Sequence, residues 1–552
     1  MFDVSKGSAI VFSSSGATLH ATRITKSHGP VVVLDGVSVL VGPRSRIGVV
    51  GPNGVGKTTL LRILADLDQP DTGRVVLAPP SLNVGYLPQE TAARSEETLI
   101  GYLSRRTGVA AAESEMEEAA GRLAQAATGA EDRYSCALDR YLSLGGPDLE
   151  SRAAEVCEHL GLPADRLDVE LGALSGGQAA RAALAAILLS RFDVFLLDEP
   201  TNDLDFAGLD QLERFLSDLD GAYVIVSHDR AFLEATVDRV LELDAHSRSS
   251  TEYGGGWLGY LDAKGTARRH AEEAHDRYRT QRDQLVDRAR TQREWAVTGT
   301  RKAKKKAPDN DKAQRDWKVN RTEKQASKVR ISEKALDRLE VAEKPWEAWD
   351  LHLDLAPSSR SGDSVARLVE AVVERGSFRL GPLTLEITWA ERVAIVGPNG
   401  SGKTTLLRAL LGDIPLASGQ RWLGPGVVVG ELDQGRRSFV TDRPLIDAFA
   451  ASSGLLAQPS RSLLAKFGLG AEHVSRLATN LSPGERTRAT LALLMAVGAN
   501  CLVLDEPTNH LDLPAIEQLE AALDDYDGTL LLVTHDRRLL DALRITRTVD
   551  LS

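Results

Sequence analysis

A set of short motifs occurs twice in this chain, in the same order, and this repetition constrains the fold more than any other feature. The glycine-rich loop GPNGVGKTT at 51–59 returns as GPNGSGKTT at 397–405. Three further motifs also return: LSGGQ (174–178) as LSPGE (481–485), LLDEPTNDLD (196–205) as VLDEPTNHLD (503–512), and VIVSHDR (224–230) as LLVTHDR (531–537). The 552 residues therefore predict two copies of one domain rather than a single core.

The spacing between the copies predicts an insertion in the first one. The three later motifs recur after 307 residues, whereas the glycine-rich loops recur after 346 and the glutamines Gln89 and Gln434 after 345. About 38 additional residues therefore lie in the first copy, within an Ala/Glu-rich, helix-favouring stretch at about 92–160. The predicted domains are a first copy at 1–261 with this helical arm, a linker at 262–345, and a second copy at 346–552.

The linker differs in charge from the rest of the chain. The formal net charge is −12, but residues 264–344 contain 24 Lys and Arg against 14 Asp and Glu. Scarce glycine after Gly265, with a break at Pro308, predicts a hairpin of two helices of about 30 residues around a tip at 298–312. Trp295 and Trp317 flank the tip and could stack on bases. A solvated spacer is the competing interpretation. The cations predicted to contact RNA phosphates are Arg301, Lys302, Lys304, Lys305, Lys306 and Lys312.

Each glycine-rich loop follows an apolar strand, RIGVV or RVAIV, and precedes a helix, which is the arrangement of a phosphate cradle. Lys57 and Lys403 are predicted to pair with β- and γ-phosphates, and the hydroxyls of Thr58 and Thr404 to ligate Mg²⁺. ATP and Mg²⁺ are therefore the expected ligands. The other predicted loop contacts are Gly51, Asn53, Gly54, Gly56, Thr59, Gly397, Asn399, Gly400, Gly402 and Thr405.

The paired carboxylates at the ends of two apolar runs predict a division of labour. Asp198 and Asp505 are expected to hold Mg²⁺, and the adjacent Glu199 and Glu506 to orient the water that attacks the γ-phosphate. His228 and His535 are expected to contact that phosphate, and Gln89 and Gln434 to sense the metal and the water. The alternative is a solvated acidic turn with structural histidines, and repetition at constant spacing argues against it.

LSGGQ places a serine and two glycines at a helix start, where backbone N–H groups can bind a phosphate. The pentapeptide resembles the signature of ATP-binding-cassette ATPases, and the resemblance covers nearly the entire chain. It implies two cassettes facing head to tail, with each ATP between the loop of one and the signature of the other, and with Asp205 and Asp512 on loops that cross the interface. The signature residues that the resemblance implies at the ATP sites are Ser175, Gly176, Gly177, Gln178, Ser482, Gly484 and Glu485. The residues that it implies beside the adenines are His28 and Phe378. Pro483 and Glu485 depart from the pattern, which predicts slower hydrolysis at the site built on Lys57.

Two cassettes joined by a basic helical hairpin, with an arm in the first, resemble the ABC-F family, and the tip resembles its actinobacterial branch associated with macrolide-type resistance. The resemblance implies an α/β fold with parallel sheets and a helical signature subdomain in each cassette. It also implies ATP-closed binding at the tRNA exit site of the ribosome, action through the linker on rRNA and P-site tRNA, release on hydrolysis, and resistance by ribosome protection. The alternatives are a translation factor without a resistance role, a DNA-binding ATPase, and the ATPase subunit of an exporter.

Several sequence features bear on location. The longest apolar candidate, LALLMAVGANCLVL at 491–504, is 14 residues long and too short to cross a bilayer. The N-terminal segment lacks the pattern of a signal peptide. Cys136, Cys157 and Cys501 have no disulfide or metal spacing, which is typical of a reducing compartment. We therefore expect a cytoplasmic monomer without a membrane partner.

Overall fold

A computed structural model of the chain describes residues 18–88, 96–125, 127–163, 166–174, 176–202, 204–305, 360–376, 378–432, 439–509 and 511–551. The side chains of 176, 289, 292–305 and 483 are not described. The chain divides into two compact units, residues 1–258 with 349–552, and residues 259–348. Within the described ranges, no helix has both the length and the apolar character needed to span a membrane. The predicted site residues outside the described part, as whole residues or side chains, are Gln89, Ser175, Arg301, Lys302, Lys304, Lys305, Lys306, Lys312 and Gln434, with the tryptophans Trp295 and Trp317.

The first cassette is built from strands and helices that alternate after an initial pair of strands. Its strands are β1 (Thr18–His28), β2 (Val31–Val41), β3 (Arg46–Val50), β4 (Thr72–Ala78), β5 (Val84–Leu87), β6 (Val194–Asp198), β7 (Ala222–Val226), β8 (Arg239–Leu243) and β9 (Ser250–Gly254). Its helices are α1 (Lys57–Leu64), α2 (Leu99–Arg106), α3 (Val109–Ala124), α4 (Ala130–Ser143), α5 (Leu149–His159), α6 (Gly176–Leu189), α7 (Phe206–Asp218) and α8 (Arg230–Thr236), with a 3₁₀ turn at Leu171–Ala173.

The main sheet of the first cassette positions the motifs. In the described residues its order is β5-β6-β7-β3-β8-β9, with every neighbouring pair parallel except β8 and β9. All five residues of β6 and of β7 are buried, as expected for central strands covered on both faces. Because β6, β7 and β3 are adjacent and parallel, the motifs that follow them meet at one edge of the sheet. A smaller antiparallel sheet, β2-β1-β4, packs its apolar side chains with those of β3 and α1 in one core.

The next element, α9 (Gly256–Lys305), is a single helix of 50 residues. At about 1.5 Å per residue it is about 75 Å long. The prediction of about 30 residues for the first linker helix was wrong because the helix starts earlier, at Gly256, and continues to Lys305, inside the predicted tip. Its interior glycines Gly259, Gly265 and Gly299 each cost only about 1 kcal/mol relative to alanine, and no proline interrupts this stretch.

The second cassette repeats the plan of the first. Its strands are β10 (Ser364–Arg375), β11 (Phe378–Thr388), β12 (Arg392–Val396), β13 (Ser418–Leu423), β14 (Val429–Leu432), β15 (Cys501–Asp505), β16 (Thr529–Val533) and β17 (Arg547–Asp550). Its helices are α10 (Lys403–Leu411), α11 (Leu445–Ser453), α12 (Ala457–Lys466), α13 (Ala471–Val474), α14 (Pro483–Val497), α15 (Leu513–Asp524) and α16 (Arg537–Ala542), with a 3₁₀ turn at Ala478–Asn480.

The two cassettes share their strand order, which confirms the predicted α/β class and the duplication. Among the described residues the second main sheet runs β14-β15-β16-β12-β17, all parallel, and the smaller sheet runs β11-β10-β13. The clearest difference lies in the helical part. The first cassette has the paired helices α3 and α4 between α2 and α5, whereas in the second only three residues separate α11 from α12. This α3–α4 pair lies within the stretch in which the spacing predicts an arm.

Candidate functional site

The two glycine-rich loops have the backbone needed to surround a small anion. Gly51, Gly54 and Gly56 have φ of 151°, 77° and 109°, and their counterparts in the second cassette have φ of 148°, 85° and 101°. Such positive φ favours glycine, and a Cβ on Gly56 would also lie 2.7 Å from Val33. No side chain caps the N-terminus of α1 or α10. The first N–H groups of both helices are therefore available to a phosphate.

Each loop lysine is buried at the centre of its loop. Lys57 Nζ donates to the carbonyl oxygen of Gly51 at 2.7 Å, and Lys403 Nζ donates to that of Gly397 at 2.8 Å. Burial lowers the pKa of both lysines, and nearby carboxylates, led by Glu199 at Lys57 and Glu506 at Lys403, oppose this shift. A polyanionic phosphate would favour the charged ammonium in the same way.

A hydroxyl and a carboxylate meet beside each loop in the pattern of a magnesium site. Thr404 Oγ1 donates to Asp505 Oδ2 at 2.7 Å, and Thr58 likewise hydrogen-bonds Asp198. Burial raises the pKa of Asp198 although Thr58 and Tyr86 hydrogen-bond it, and its Oδ1 accepts no hydrogen bond from any described residue. Oxygen ligands of this kind suit Mg²⁺, so the residues present fit the metal.

The two predicted catalytic glutamates sit in strained backbone. Glu199 and Glu506 have φ of 50° and 51°, which is unusual for residues other than glycine and is typical of functional sites. Each stands directly after a buried strand, β6 or β15. The change of backbone direction there brings the glutamate and the aspartate before it to the same edge of the sheet. Burial raises the pKa of Glu199 to about 7, although Lys57 opposes the shift. A carboxylate with a pKa near 7 can accept a proton from water.

The two histidines lie against these glutamates and are neutral at pH 7. His228 Nε2 is 3.2 Å from Glu199 Oε1 and 3.1 Å from Lys57 Nζ. His535 Nε2 is 3.6 Å from Glu506 Oε1. Burial and the nearby loop lysine lower the pKa of both, and that of His535 falls to about 4. A neutral imidazole can donate a hydrogen bond to a phosphate oxygen or accept one from water.

One aspartate joins each loop to the opposite cassette. Asp205 Oδ2 accepts from the backbone N–H of Asn399 at 2.9 Å, and Asp512 Oδ2 accepts from that of Asn53 at 3.1 Å. The other carboxylate oxygen of each aspartate caps its own helix, α7 or α15. Each nucleotide loop is therefore contacted by both cassettes. We call the site around Lys57 the first site and the site around Lys403 the second site.

The second site opens into a cavity of about 1100 Å³ to which both cassettes contribute. Lys403, Thr404 and Phe378 line it from the second cassette, and Gly177 and Ala180 from the first. A Cβ on Gly177 would lie 3.0 Å from that of Asn399, so the first signature directly faces the second loop. This volume accommodates a nucleoside triphosphate.

The two aromatic residues predicted to stack on adenine have different surroundings. The Phe378 ring lies 2.8 Å from the position that a Cβ on Gly402 would take, and it lines the cavity. His28 is exposed at the end of β1, and Val33 and Leu34 are the side chains that approach Gly56. The structure therefore brings Phe378 to its loop, whereas it places aliphatic side chains beside the first loop.

Glu485 of the second signature is bound at the start of its own helix. Ser482 N donates to Glu485 Oε2 at 2.8 Å and Ser482 Oγ accepts from Glu485 N at 3.3 Å, which forms a capping box on α14. Arg476 lies 3.2 Å from the same carboxylate and His473 3.3 Å. Burial would raise the pKa of Glu485, but the Ser482 hydrogen bond and Arg476 lower it. The ionised carboxylate of Glu485 is therefore bound at the start of its own helix beside Arg476, and slower hydrolysis at the first site stays a prediction.

Three kinds of residue were missed in the sequence, and signals exist for two of them. The sequence SPGE at 482–485 contains the serine and glutamate spacing of a capping box, with proline at the first helical position. Arg230 and Arg537 belong to the repeated histidine motifs, and both contact the opposite cassette. Tyr86 donates to Asp198 Oδ2 at 3.1 Å and had no distinguishing signal beyond its place before Gln89.

Comparison with known proteins agrees with this geometry. The ABC transporter family model matches residues 34–202 and 380–509. The tylosin resistance ATP-binding protein TlrC of Streptomyces fradiae is 36% identical over 545 residues, 95% of each chain. The energy-dependent translational throttle protein EttA of Escherichia coli K12 is 32% identical over 93% of this chain and 88% of EttA.

The fold also resembles a solved structure of two cassettes. The complex of archaeal ribosomal stalk protein aP1 with the archaeal ribosome recycling factor aABCE1 aligns with a TM-score of 0.57 at 20% identity, covering 96% of this chain and 87% of that chain. At this identity the likeness concerns the fold alone. The duplicated loops, the carboxylate pairs and the near full-length relatives agree on one assignment. The chain belongs to the ABC-F family of tandem ATP-binding-cassette ATPases and hydrolyses ATP to ADP and phosphate.

Proposed function

We propose that this chain is an ATP-dependent clamp that binds the tRNA exit site of the ribosome, acts on translation through its linker, and protects the ribosome from an antibiotic. The observation that carries the clamp is the reciprocal pair of contacts from Asp205 to Asn399 and from Asp512 to Asn53. Because each nucleotide loop has a partner in the opposite cassette, ATP at either site stabilises the pairing of both.

The chain's own residues supply the steps of hydrolysis. Lys57 and Lys403 bind the phosphates, and Glu199 and Glu506 accept a proton from the attacking water. His228 and His535 hold the terminal phosphate in place. Mg²⁺, held by Thr58 with Asp198 and by Thr404 with Asp505, would neutralise phosphate charge when bound. Gln89 and Gln434 remain proposed ligands. Loss of the terminal phosphate weakens the pairing, which releases the clamp from its partner.

The relatives support the choice of the ribosome as partner. TlrC is named for tylosin resistance and EttA for throttling translation, and both align over more than nine-tenths of this chain. The linker supports the same choice because residues 264–344 contain 24 basic against 14 acidic residues in an acidic protein. A local positive surface is what binding to rRNA or tRNA requires. A DNA-binding ATPase shares this electrostatic requirement, and an exporter subunit does not.

Ribosome binding is tested with a hydrolysis-blocked form of the full chain, Glu199→Gln with Glu506→Gln. Mixed with purified ribosomes and ATP, it should co-sediment with them and should do so much less with ADP. Equal recovery with both nucleotides, or no recovery, would contradict a clamp that closes on ATP. Parallel mixtures with duplex DNA and with lipid vesicles test the two alternative partners.

The basic tip is tested in the same assay across a salt titration. Replacing Arg301, Lys302, Lys304, Lys305 and Lys306 with alanine should weaken binding and reduce its salt dependence, by about 0.7–0.9 in logarithmic slope for each phosphate that the protein no longer neutralises. The matched control replaces five exposed arginines nearer the start of α9, namely Arg268, Arg269, Arg277, Arg279 and Arg282. If both variants follow the wild-type curve, the linker is a solvated spacer.

Resistance and general translation are separated by phenotype. Expression in a sensitive host should raise the inhibitory concentration of one class of ribosome-targeting antibiotic, with tylosin tested first, and the hydrolysis-blocked form should not. The similarity to EttA favours a translation factor without a resistance role as the second candidate. That candidate predicts altered translation rates in a purified system at changing ATP to ADP ratios, with no change in any inhibitory concentration.

A further inference from the structure

Two arginines outside the nucleotide loops each bind carboxylates of the opposite cassette. Arg230, two residues after His228, donates Nη1 to Glu520 Oε2 at 3.0 Å and Nη2 to Oε1. Arg537, two residues after His535, donates to Glu213 Oε1 at 2.8 Å and to Asp210 Oδ1 at 2.5 Å. Bidentate arginine–carboxylate pairs fix orientation as well as supplying energy.

The two contacts are equivalent under the repeat. Arg230 and Arg537 are separated by 307 residues, and so are Glu213 and Glu520. The pairs therefore occupy corresponding places on the two cassettes, as an isologous interface requires. A third pair, Arg538 with Glu234, also joins the two cassettes. It has no equivalent under the repeat, because residue 231, which corresponds to Arg538, is alanine.

The helix that each arginine binds begins at an aspartate of the same site. Arg230 follows His228 of the first site and binds α15, whose N-cap Asp512 contacts Asn53 in the first loop. Arg537 follows His535 of the second site and binds α7, whose N-cap Asp205 contacts Asn399 in the second loop. At each site the histidine motif therefore carries an arginine that binds a helix of the other cassette, and the N-cap of that helix contacts the loop of the same site.

Burial makes the first of these pairs more than a surface ion pair. The side chains of Arg230 and Glu520 are each 14% exposed, whereas those of Arg44 and Asp220, an ion pair within the first cassette, are 69% and 80% exposed. Exposed pairs contribute little because solvent screens them, but removing one partner of a largely buried pair leaves the other without compensation.

We propose that Arg230 with Glu520, and Arg537 with Glu213, are positioning pairs that hold each cross-interface aspartate over the nucleotide loop and so couple ATP binding to cassette pairing. Neither arginine needs to touch the nucleotide. The proposal concerns the ATPase itself and does not depend on which partner the clamp binds.

Charge exchange in the full-length protein tests the first pair. Arg230→Glu alone, or Glu520→Arg alone, should lower kcat for ATP at least tenfold because two like charges then meet in a largely buried place. The combined exchange should recover kcat to within about threefold of wild type. Binding of a fluorescent ATP analogue, N-methylanthraniloyl-ATP, should change less than threefold in every variant, since the loop around Lys57 is intact.

The matched control is Arg44→Glu, which reverses one member of the exposed pair and should leave kcat unchanged. Circular dichroism and the melting temperature show whether each variant folds. Recovery in the combined exchange with unchanged analogue binding supports the proposal. A single reversal without effect on kcat overturns it, and so does a combined exchange that remains as slow as the single variants or a control that loses activity equally.

Discussion

Replacing Glu199 with glutamine should stabilise the nucleotide-free protein above pH 7 while it removes a catalytic group. The Glu199 side chain is buried at the end of β6, and burial is the first cause that raises its pKa from 4.5 to about 7. Lys57 opposes this shift and Asp198 adds to it. The ionised carboxylate is therefore less favourable in the folded protein than in the unfolded chain.

The size and sign of the effect follow from proton linkage. Between pH 4.5 and about 7 the folded state binds more protons than the unfolded state, so wild-type stability falls as pH rises through this window. A difference of about 2.5 pKa units corresponds to about 3 kcal/mol as an upper bound above pH 7, and to less than about 1 kcal/mol at pH 5. Glutamine does not titrate, so the variant escapes this loss. For a domain of roughly 200 residues, 3 kcal/mol raises the melting temperature by at most about 6–12 °C.

Scanning calorimetry without nucleotide at pH 5 and pH 8 provides the measurement. The gain in melting temperature of Glu199→Gln over wild type should be small at pH 5 and several degrees larger at pH 8. Asp220→Asn, at a carboxylate that is 80% exposed, is the control and should show no such difference. A gain that is the same at both pH values, or a loss at pH 8, would refute the reasoning that burial of a charged carboxylate strains this site.

Three further predictions concern catalysis. Glu199→Gln with Glu506→Gln should keep ATP binding and lower hydrolysis at least ~10²-fold, the scale of lost general-base assistance, and near-normal phosphate release would remove both glutamates from the mechanism. Glu199→Gln alone should reduce total hydrolysis less than Glu506→Gln alone, because the first site faces the signature that carries Pro483; equal losses would show that this signature does not set the rate. Asp512→Ala should lower kcat about tenfold with little change in binding of N-methylanthraniloyl-ATP, because it removes a cross-interface hydrogen bond and the cap of α15; an unchanged kcat would mean that the bond to Asn53 is dispensable.

The sequence predicted the local geometry of the loop, carboxylate and histidine motifs well because each of these lies between its own strand and helix. Apolar runs that end in Asp198 or His228 had to be parallel strands, and parallel strands bring their carboxyl ends to one edge. Contacts between the cassettes could not be predicted in this way. The bond from Asn399 to Asp205 joins residues 194 positions apart, and no local propensity decides it. Family resemblance, rather than periodicity, indicated that these aspartates cross the interface.

Other features escaped prediction because two local rules competed. Glu485 fits both a departure from the signature and a capping box, and in the structure it forms the box with Ser482 while Arg476 lies beside its carboxylate. The length of α9 was underestimated because the linker was predicted to begin at 262 and its tip at 298, whereas helix-forming residues extend the helix from Gly256 to Lys305. In both places the deciding residues are visible in the sequence, but the local signals around them are compatible with more than one structure.

The two nucleotide sites have different surroundings but share one interface between the cassettes. The second site combines an aromatic neighbour, Phe378, with a glycine-rich signature that directly faces its loop. The first site has aliphatic neighbours, and the signature that the family resemblance places opposite it begins with Ser482 and Glu485 bound to each other in a capping box. Both loops nevertheless bind an aspartate of the other cassette, so hydrolysis at one site weakens the interface that the other site needs. On the proposed mechanism the second site, which we predict to hydrolyse ATP faster, therefore sets the time at which the clamp opens.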